Sequence, residues 1–161
     1  MSSQADLLPN SLTPRDTAAR FATGLLPCQS ISEMVRSREI FCAEPIMETQ
    51  MQPASLDLRL DHTAYRVRSS FLPGSGTKVR EKLDDFTMGE IDLRSGAILE
   101  KECVYIVPLK EGLALTSRIA AVANPKSSIG RLDIFTRLIT DSATEFDRVP
   151  PGYQGPLYAE I

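Results

Sequence analysis

The sequence predicts an all-β domain with a short helix near its N-terminus, and two observations carry this prediction. Short apolar runs are separated by glycine, proline, asparagine, aspartate or charged pairs. From Ala54 onward, apolar and polar residues alternate with the period of two that is typical of strands. Many short strands with frequent turns indicate a sandwich, jelly roll or barrel rather than a parallel α/β sheet. The runs are residues 97–99, 103–108, 113–116, 120–123, 134–139 and 157–161.

The helix is predicted from a capping signal. Ser30 and Glu33 have the S-x-x-E spacing of a capping box, and apolar residues follow on one face. We therefore expect a helix over residues 31–38. The segment 40–53 contains prolines and polar residues, which favour an extended connection. No further regular helix is expected.

The first strand is predicted where leucines alternate with charged residues. Leu56, Leu58 and Leu60 alternate with Asp57 and Arg59, which places the leucines on one buried face of a sheet. Asp57 and Arg59 then lie on the opposite face, where cross-strand ion pairing is their ordinary explanation.

A hairpin is predicted immediately after this strand. Tyr65 and Val67 alternate with arginines, and residues 61–62 between the two strands suit a tight turn. His62 is then interpreted as a turn residue. Residues 78–90 are highly charged and weakly patterned, so we expect a surface insertion and assign it no secondary structure.

Composition excludes several classes of protein. A chain of 161 residues with 42% hydrophobic residues suits one domain with a core, and a net charge of -3 gives no general attraction to nucleic acid or membranes. Three widely spaced cysteines favour reduced thiols and a cytoplasmic location. Residues 1–25 are interpreted as an N-terminal extension, and residues 26–161 as the β domain.

One polar segment has the composition of a phosphate-binding loop. Two hydroxyls lie between a lysine and an arginine, and a glycine permits close approach of a ligand to the backbone. By composition alone, a polar turn between strands with solvated ends is the favoured explanation. The loop is not a Walker loop, because no G-x-x-x-x-G-K precedes it. Its residues are Lys126, Ser127, Ser128, Ile129, Gly130 and Arg131.

A second segment joins a rigid turn to an acidic strand. Residues 150–156 are rich in proline and glycine, and Glu160 alternates with apolar Ala159 and Ile161 in the run that follows. By pattern alone Glu160 could simply face water.

Three segments together resemble the dCTP deaminase family, which shares its fold with the trimeric dUTPases. Residues 52–60 resemble the family motif Q-P-A-S-x-D-x-R-L, and residues 126–131 resemble its R-S-S-x-G-R loop. Residues 151–160 resemble its P-G-[FYW]-x-G-x-[ILV]-x-x-E turn and strand. The resemblance covers residues 26–161, interrupted at 78–90 and 142–148. It implies a dUTPase-like distorted β-barrel or jelly roll.

The resemblance implies hydrolysis of dCTP to dUTP and ammonia, with Glu160 as general base. It assigns Ser127 and Arg131 to holding the water, the base and the cytosine. Substrate-binding roles fall on the whole loop 126–131, with Lys126, Ser128 and the backbone at Ile129 and Gly130 on the phosphates, and on Tyr158 and Ala159 beside Glu160. Magnesium would accompany the triphosphate.

Zinc chemistry has no signature in the sequence. Zinc-dependent nucleotide deaminases carry H-x-E and P-C-x-x-C, whereas Thr63 and Ala64 follow His62 and no cysteine pair has zinc spacing. We therefore expect no catalytic zinc and no bound metal of the protein's own.

The sequence departs from the family pattern at two positions. Lys126 replaces an arginine, and Pro150 replaces the aspartate that contacts the deoxyribose, leaving Asp147 or Asp141 as substitutes. The chain ends just after Glu160, so we expect an edge strand there and a C-terminally incomplete domain. Family members form homotrimers with shared sites, so we expect a homotrimer or higher homo-oligomer.

Two other functions stay open. The fold and the serine loop would also serve a dUTP diphosphatase, or a bifunctional enzyme that continues to dUMP. A non-catalytic domain that binds nucleotide or mediates assembly is the third hypothesis.

Overall fold

The computed structural model describes residues 24–161, so nearly all of the predicted extension lies outside the described residues. Within that range the chain forms ten strands and three helices, and the prediction of an all-β fold with few helices is confirmed. The strands are β1 (Ile40–Cys42), β2 (Met51–Gln52), β3 (Ser55–Leu56), β4 (Thr63–Val67), β5 (Thr87–Asp92), β6 (Val104–Ala114), β7 (Ala121–Val122), β8 (Arg137–Thr140), β9 (Arg148–Val149) and β10 (Gln154–Glu160). The helices are α1 (Cys28–Arg36), α2 (Val79–Phe86) and α3 (Ser127–Gly130), and a 3-10 turn covers Glu48–Gln50.

The largest sheet is built around β6. Its order is β5-β4-β6-β10-β8, with β1 added to β6, and every pairing is antiparallel. Strands β2 and β3 form one small sheet, and β7 and β9 another. Because β6 is eleven residues long, it pairs with β4 along one half and with β1 along the other.

Apolar residues cover both faces of the large sheet. Along β6, Tyr105 and Val107 join one buried cluster and Ile106 joins another, as the period of two requires. The second cluster also contains Tyr65 and Tyr158 from neighbouring strands. A third cluster packs α1 against the far end of the sheet. The sheet therefore carries packed cores along its length.

The prediction of an edge strand at the end of the sequence is wrong. Strand β10 pairs with β6 on one side and with β8 on the other. Beyond β10, the backbone of Ile161 still exchanges two hydrogen bonds with Tyr105, at 2.9 and 3.0 Å. The acidic strand is therefore internal, which buries its apolar residues and satisfies its backbone groups.

Helix α1 begins earlier than predicted and is capped differently. Its N-cap is Pro27, whose carbonyl oxygen accepts the N–H groups of Ser30 and Ile31. Ser30 lies inside the helix, so the predicted capping box is wrong. The predicted buried face is present, with Ile31 and Met34 buried.

The leucine strand is the largest error of the sequence analysis. Strand β3 covers only residues 55–56, and Leu58 and Leu60 are 36% and 42% exposed. The side chain of Arg59 is only 18% exposed. The alternation is real, but the polar face points inward because Arg59 binds a buried carboxylate on β6. The predicted hairpin is also wrong, since β4 pairs with β5 and β6.

The insertion at 78–90 contains a helix, contrary to expectation. Val79 and Leu83, one turn apart on α2, are 0% and 2% exposed and pack into the cluster around Tyr65. The carboxylate of Asp141 accepts the N–H of Val79 at 2.8 Å, which satisfies a free donor at the helix start. Strand β5 completes the insertion and extends the sheet.

Not all of the remaining apolar runs form strands as predicted. Residues 97–99 form no strand, whereas the runs 103–108 and 113–116 are joined in the single strand β6. The run 120–123 contains β7, and the runs 134–139 and 157–161 overlap β8 and β10.

Candidate active site

Glu160 stands in the middle of the sheet at the end of β10. It pairs with Ile106 on β6 and with Arg137 on β8, so the three side chains share one face with Tyr65, the β4 partner of Ile106. The Oε2 atom of Glu160 is buried and receives no hydrogen bond from residues 24–161. A buried carboxylate oxygen without a donor is costly to fold, and such groups are enriched at functional sites. Glu160 therefore has a buried carboxylate oxygen that is free to accept a hydrogen bond.

Two arginines flank this face of the sheet. Arg80 of α2 donates to the hydroxyl of Tyr65 at 2.7 Å, and this hydrogen bond is the main reason that the pKa of the guanidinium is raised. On the other side, the guanidinium of Arg137 lies 4.9 Å from the ring centroid of Phe146, in cation–π geometry. Neither guanidinium donates to Oε2 of Glu160. Neither arginine could be recognised from the sequence, because its pattern predicts neither α2 nor the register of β8.

The serine loop folds as one short helical turn. Lys126 is the N-cap of α3, and its carbonyl oxygen accepts the N–H groups of Ile129 at 2.8 Å and Gly130 at 3.2 Å. The side chains of Ser127 and Arg131 are exposed. The loop thus presents an ordered set of polar groups to solvent.

The structure brings the first two family-like segments together. The ammonium group of Lys126 lies 2.5 Å from Oδ2 of Asp57, which also accepts from Gln52 at 3.2 Å. Glu160 does not join them. Glu160 pairs with Ile106 on β6, whereas Asp57 is anchored through Gln50 near Glu111 on the same strand. Ile106 and Glu111 are five residues apart, about 17 Å along an extended strand. Oε2 of Glu160 receives no donor from the loop.

A buried ion pair explains the arginine in the first segment. The carboxylate of Glu111, whose side chain is 0% exposed, accepts the Nε–H of Arg59 at 2.8 Å and its backbone N–H at 2.9 Å. The side-chain amide of Gln50 adds a bond of 2.9 Å. Burial alone would lower the pKa of the Arg59 guanidinium, but its bond and charge interaction with Glu111 raise it. Arg59 therefore forms the predicted ion pair, although it lies outside β3 and the pair is not cross-strand.

Glu111 and Gln50 are functional-site neighbours that the sequence pattern does not predict. The available signal for Glu111 was a single acidic residue between the two apolar runs that β6 joins.

The turn before β10 is held by its own glycines and tyrosine. Gly152 adopts φ +74°, a conformation that favours glycine. The hydroxyl of Tyr153 donates to the Pro156 carbonyl at 2.6 Å and accepts the N–H of Asp141 at 3.1 Å. A Cβ atom on Gly155 would lie 2.8 Å from that hydroxyl, too close for contact. The spacing P-G-Y-x-G is therefore a structural requirement for directing β10.

This turn gives a testable pH dependence. Burial raises the pKa of Tyr153 to about 12, above its ordinary value of 10.0. Because the folded state favours the neutral phenol, this stabilisation is complete below pH 10 and is lost as the pH rises through about 12. We expect the free energy of unfolding, measured by urea denaturation, to fall over this range. Tyr153→Phe should reduce the fall. Tyr158 also titrates late, since burial raises its pKa. An unaltered pH profile in Tyr153→Phe would refute the assignment.

The two aspartates considered for sugar contact have structural partners. Oδ1 of Asp147 accepts the N–H of Leu138 at 2.8 Å, and Oδ1 of Asp141 accepts the N–H of Val79. Each aspartate keeps a second carboxylate oxygen. Contact of Asp147 or Asp141 with the sugar, in place of an aspartate at position 150, stays a prediction.

Residues 24–161 contain neither a cluster of metal-binding side chains nor a membrane-spanning helix. Their side chains include no group of three or more His, Cys, Asp or Glu arranged to hold a metal ion. No helix among them is long and apolar enough to cross a membrane.

Comparison with known proteins identifies the family. Residues 22–161 match the family model described as the 2'-deoxycytidine 5'-triphosphate deaminase (DCD) N-terminal domain. The chain belongs to the dCTP deaminase family. A solved structure of the dCTP deaminase from Agrobacterium tumefaciens is 54% identical, with a TM-score of 0.83 over 86% of this chain and 41% of that one. The predicted family and its dUTPase-like all-β fold are confirmed.

Two curated members of the dCTP deaminase family are more distant. The proteins from Coprothermobacter proteolyticus and Nanoarchaeum equitans are each 31% identical, over 133 and 150 residues. The matches cover 81% and 85% of this chain, and 66% and 72% of those proteins. Both are named "dCTP deaminase, dUMP-forming". The chain thus spans about two thirds of the curated relatives and less than half of the Agrobacterium chain.

Proposed function

We propose that this chain carries the deaminating residues of an enzyme that hydrolyses dCTP to dUTP and ammonia. The observation that carries the proposal is Glu160, whose buried Oε2 has no donor and which occupies the glutamate position of the family-like strand. A general base needs a lone pair directed at its substrate and not engaged by the protein. Membership of the dCTP deaminase family supports the substrate.

The chemistry requires one water and one proton carrier. Glu160 accepts a proton from water as the oxygen attacks C4 of cytosine, and it delivers this proton to N3 of the ring. It then takes the second proton from the new C4 hydroxyl and delivers it to the departing amino group. The C4–N bond then breaks, so that dCTP and water become dUTP and ammonia. Ser127 and Arg131 supply donors that hold the water and the cytosine oxygen, while Tyr158 and Ala159 border the base. No zinc is required in this scheme.

The serine loop binds the phosphates in this proposal. Lys126 supplies a positive charge, Ser128 a hydroxyl, and Ile129 and Gly130 backbone groups. Magnesium enters with the triphosphate, bound by phosphate oxygens and water.

A homotrimer is part of the proposal, because among residues 24–161 the buried Oε2 of Glu160 receives no hydrogen bond from the serine loop. The exposed positions of Ser127 and Arg131 support a site completed by a second copy. Leu132 and Phe135, which follow the loop, are 68% and 76% exposed, as expected for a surface that another copy covers. Free Cys28, Cys42 and Cys103 support a reducing cytoplasm; a nucleic-acid partner is not expected.

A bifunctional enzyme that forms dUMP is the second candidate. It is favoured by the names of the two curated relatives, both dUMP-forming.

Product analysis of the full-length protein tests these functions. We expect dCTP with magnesium to yield one ammonia per deoxyuridine nucleotide formed. Release of pyrophosphate with dUMP would select the bifunctional enzyme, and dUTP alone the simple deaminase. Activity retained in a zinc chelator that spares magnesium would support the metal-free base. Calorimetric binding of dCTP without turnover would instead support the non-catalytic domain.

A further inference from the structure

Asp57 has a position that the proposed chemistry does not use. Its carboxylate contacts the ammonium of Lys126 at 2.5 Å, although the two residues are 69 positions apart. The side chain of Asp57 is 28% exposed and that of Lys126 is 59% exposed. The pair thus joins a partly buried acid to the exposed cation at the start of the serine loop.

The backbone of Asp57 is itself held by a buried side chain. The N–H of Asp57 donates to the carbonyl of Gln50 at 2.8 Å, and the side-chain amide of Gln50 donates to the carbonyl of Asp57 at 2.8 Å. Gln50 is 3% exposed and also donates to the buried carboxylate of Glu111. Because both sides of this contact are fixed, the Asp57 carboxylate projects from a rigid support.

Lys126 connects the Asp57 carboxylate to the backbone of the serine loop. Its carbonyl accepts the N–H groups of Ile129 and Gly130, so the position of Lys126 sets the first turn of α3. A lysine ammonium has three donors on a flexible stem that loses much rotamer freedom when fixed. One donor directed to Asp57 leaves two for a ligand, and the stem is already ordered.

We propose that Asp57 is a positioning residue for the triphosphate, which acts by holding Lys126 in its binding orientation. The inference rests on the proposed function in one respect, that Lys126 binds phosphate. It assigns a purpose to the aspartate of the 52–60 segment, and it explains how a lysine serves where the family pattern has arginine. The planar guanidinium is pre-organised, whereas the ammonium needs a carboxylate to fix it.

A double-mutant cycle on the full-length protein tests the inference. The variants are Asp57→Asn, Lys126→Met and the double variant, and the probe is inorganic triphosphate with magnesium, titrated by calorimetry. We expect Asp57→Asn to weaken binding about tenfold, a typical loss for a charge-assisted hydrogen bond. With Met at position 126, the same change should alter binding less than about twofold, because interacting residues are non-additive.

Kinetics on dCTP gives a second measurement. Asp57→Asn should raise KM by about the same tenfold factor and leave kcat within about twofold, since the reacting atoms lie elsewhere. Asp57→Glu keeps the charge and should recover most of the affinity. Additive losses in the cycle, or tighter triphosphate binding in Asp57→Asn, would overturn the inference. If triphosphate binding shows the coupling while dCTP is not deaminated, the proposed function fails alone.

A labelling measurement needs no variant. Lys126 and the exposed Lys101 of the wild-type protein can be acetylated with limiting reagent and compared by mass spectrometry. The ion pair predicts slower acetylation of Lys126, and slower still with magnesium triphosphate. Equal rates for the two lysines without ligand would count against the proposed contact.

Discussion

Glu160→Gln in the full-length protein is expected to lower kcat for dCTP deamination by about 10²–10⁴-fold, the range typical of lost general-base catalysis. Glutamine keeps the shape of glutamate but cannot accept a proton at neutral pH. Because the buried Oε2 has no donor to lose, the substitution leaves the packing around Ile106 intact. KM should change little. Ammonia release from dCTP, measured at saturating substrate, gives the comparison.

Glu90→Gln is the matched control for this prediction. Glu90 lies on β5 opposite Tyr65, in the same cross-sheet row as Ile106 and Glu160, but it is exposed at the outer strand. We expect it to retain wild-type kcat. An active Glu160→Gln enzyme would remove Glu160 from its role as base, while equal losses in both variants would indicate a general effect on the sheet.

The sequence could identify Glu160 but could not place it. Its strand was predicted from the alternation around Ala159, and its importance from the resemblance of residues 151–160 to the family pattern. The internal position of β10 depends on pairing with β8 and β6, strands far away in sequence. A local pattern contains no information on such partners, so the predicted edge strand was wrong.

The inverted leucine strand shows a second limit. A period of two separates the faces of a strand but does not say which face is buried. Hydrophobicity favoured Leu58 and Leu60, yet the buried partner of Arg59 is Glu111, 52 positions later. The contact between Asp57 and Lys126 also joins distant residues. Motif resemblance supplied the separate segments of the site, and only the three-dimensional structure shows which of them touch.

The buried ion pair leads to the largest expected effect on stability. We expect Arg59→Met to lower the free energy of unfolding by about 3–5 kcal/mol, because removing one partner leaves a buried charge uncompensated. The effect should lie toward the lower value, since Glu111 keeps its bonds from Gln50 and from the backbone N–H at position 59. Urea denaturation followed by circular dichroism measures the change.

Arg94→Met is the control for this loss, because it removes the same side chain from an exposed pair. Arg94 contacts Asp92 at 3.2 Å with both side chains largely exposed, and such pairs contribute at most about 1 kcal/mol. The double variant Arg59→Met with Glu111→Gln should recover part of the loss, since it removes the stranded charge. A loss of under about 1 kcal/mol in Arg59→Met would mean that water reaches Glu111. In that case Gln50 and Asp57 would also lack a rigid anchor, and the ordered position of Lys126 would need another cause.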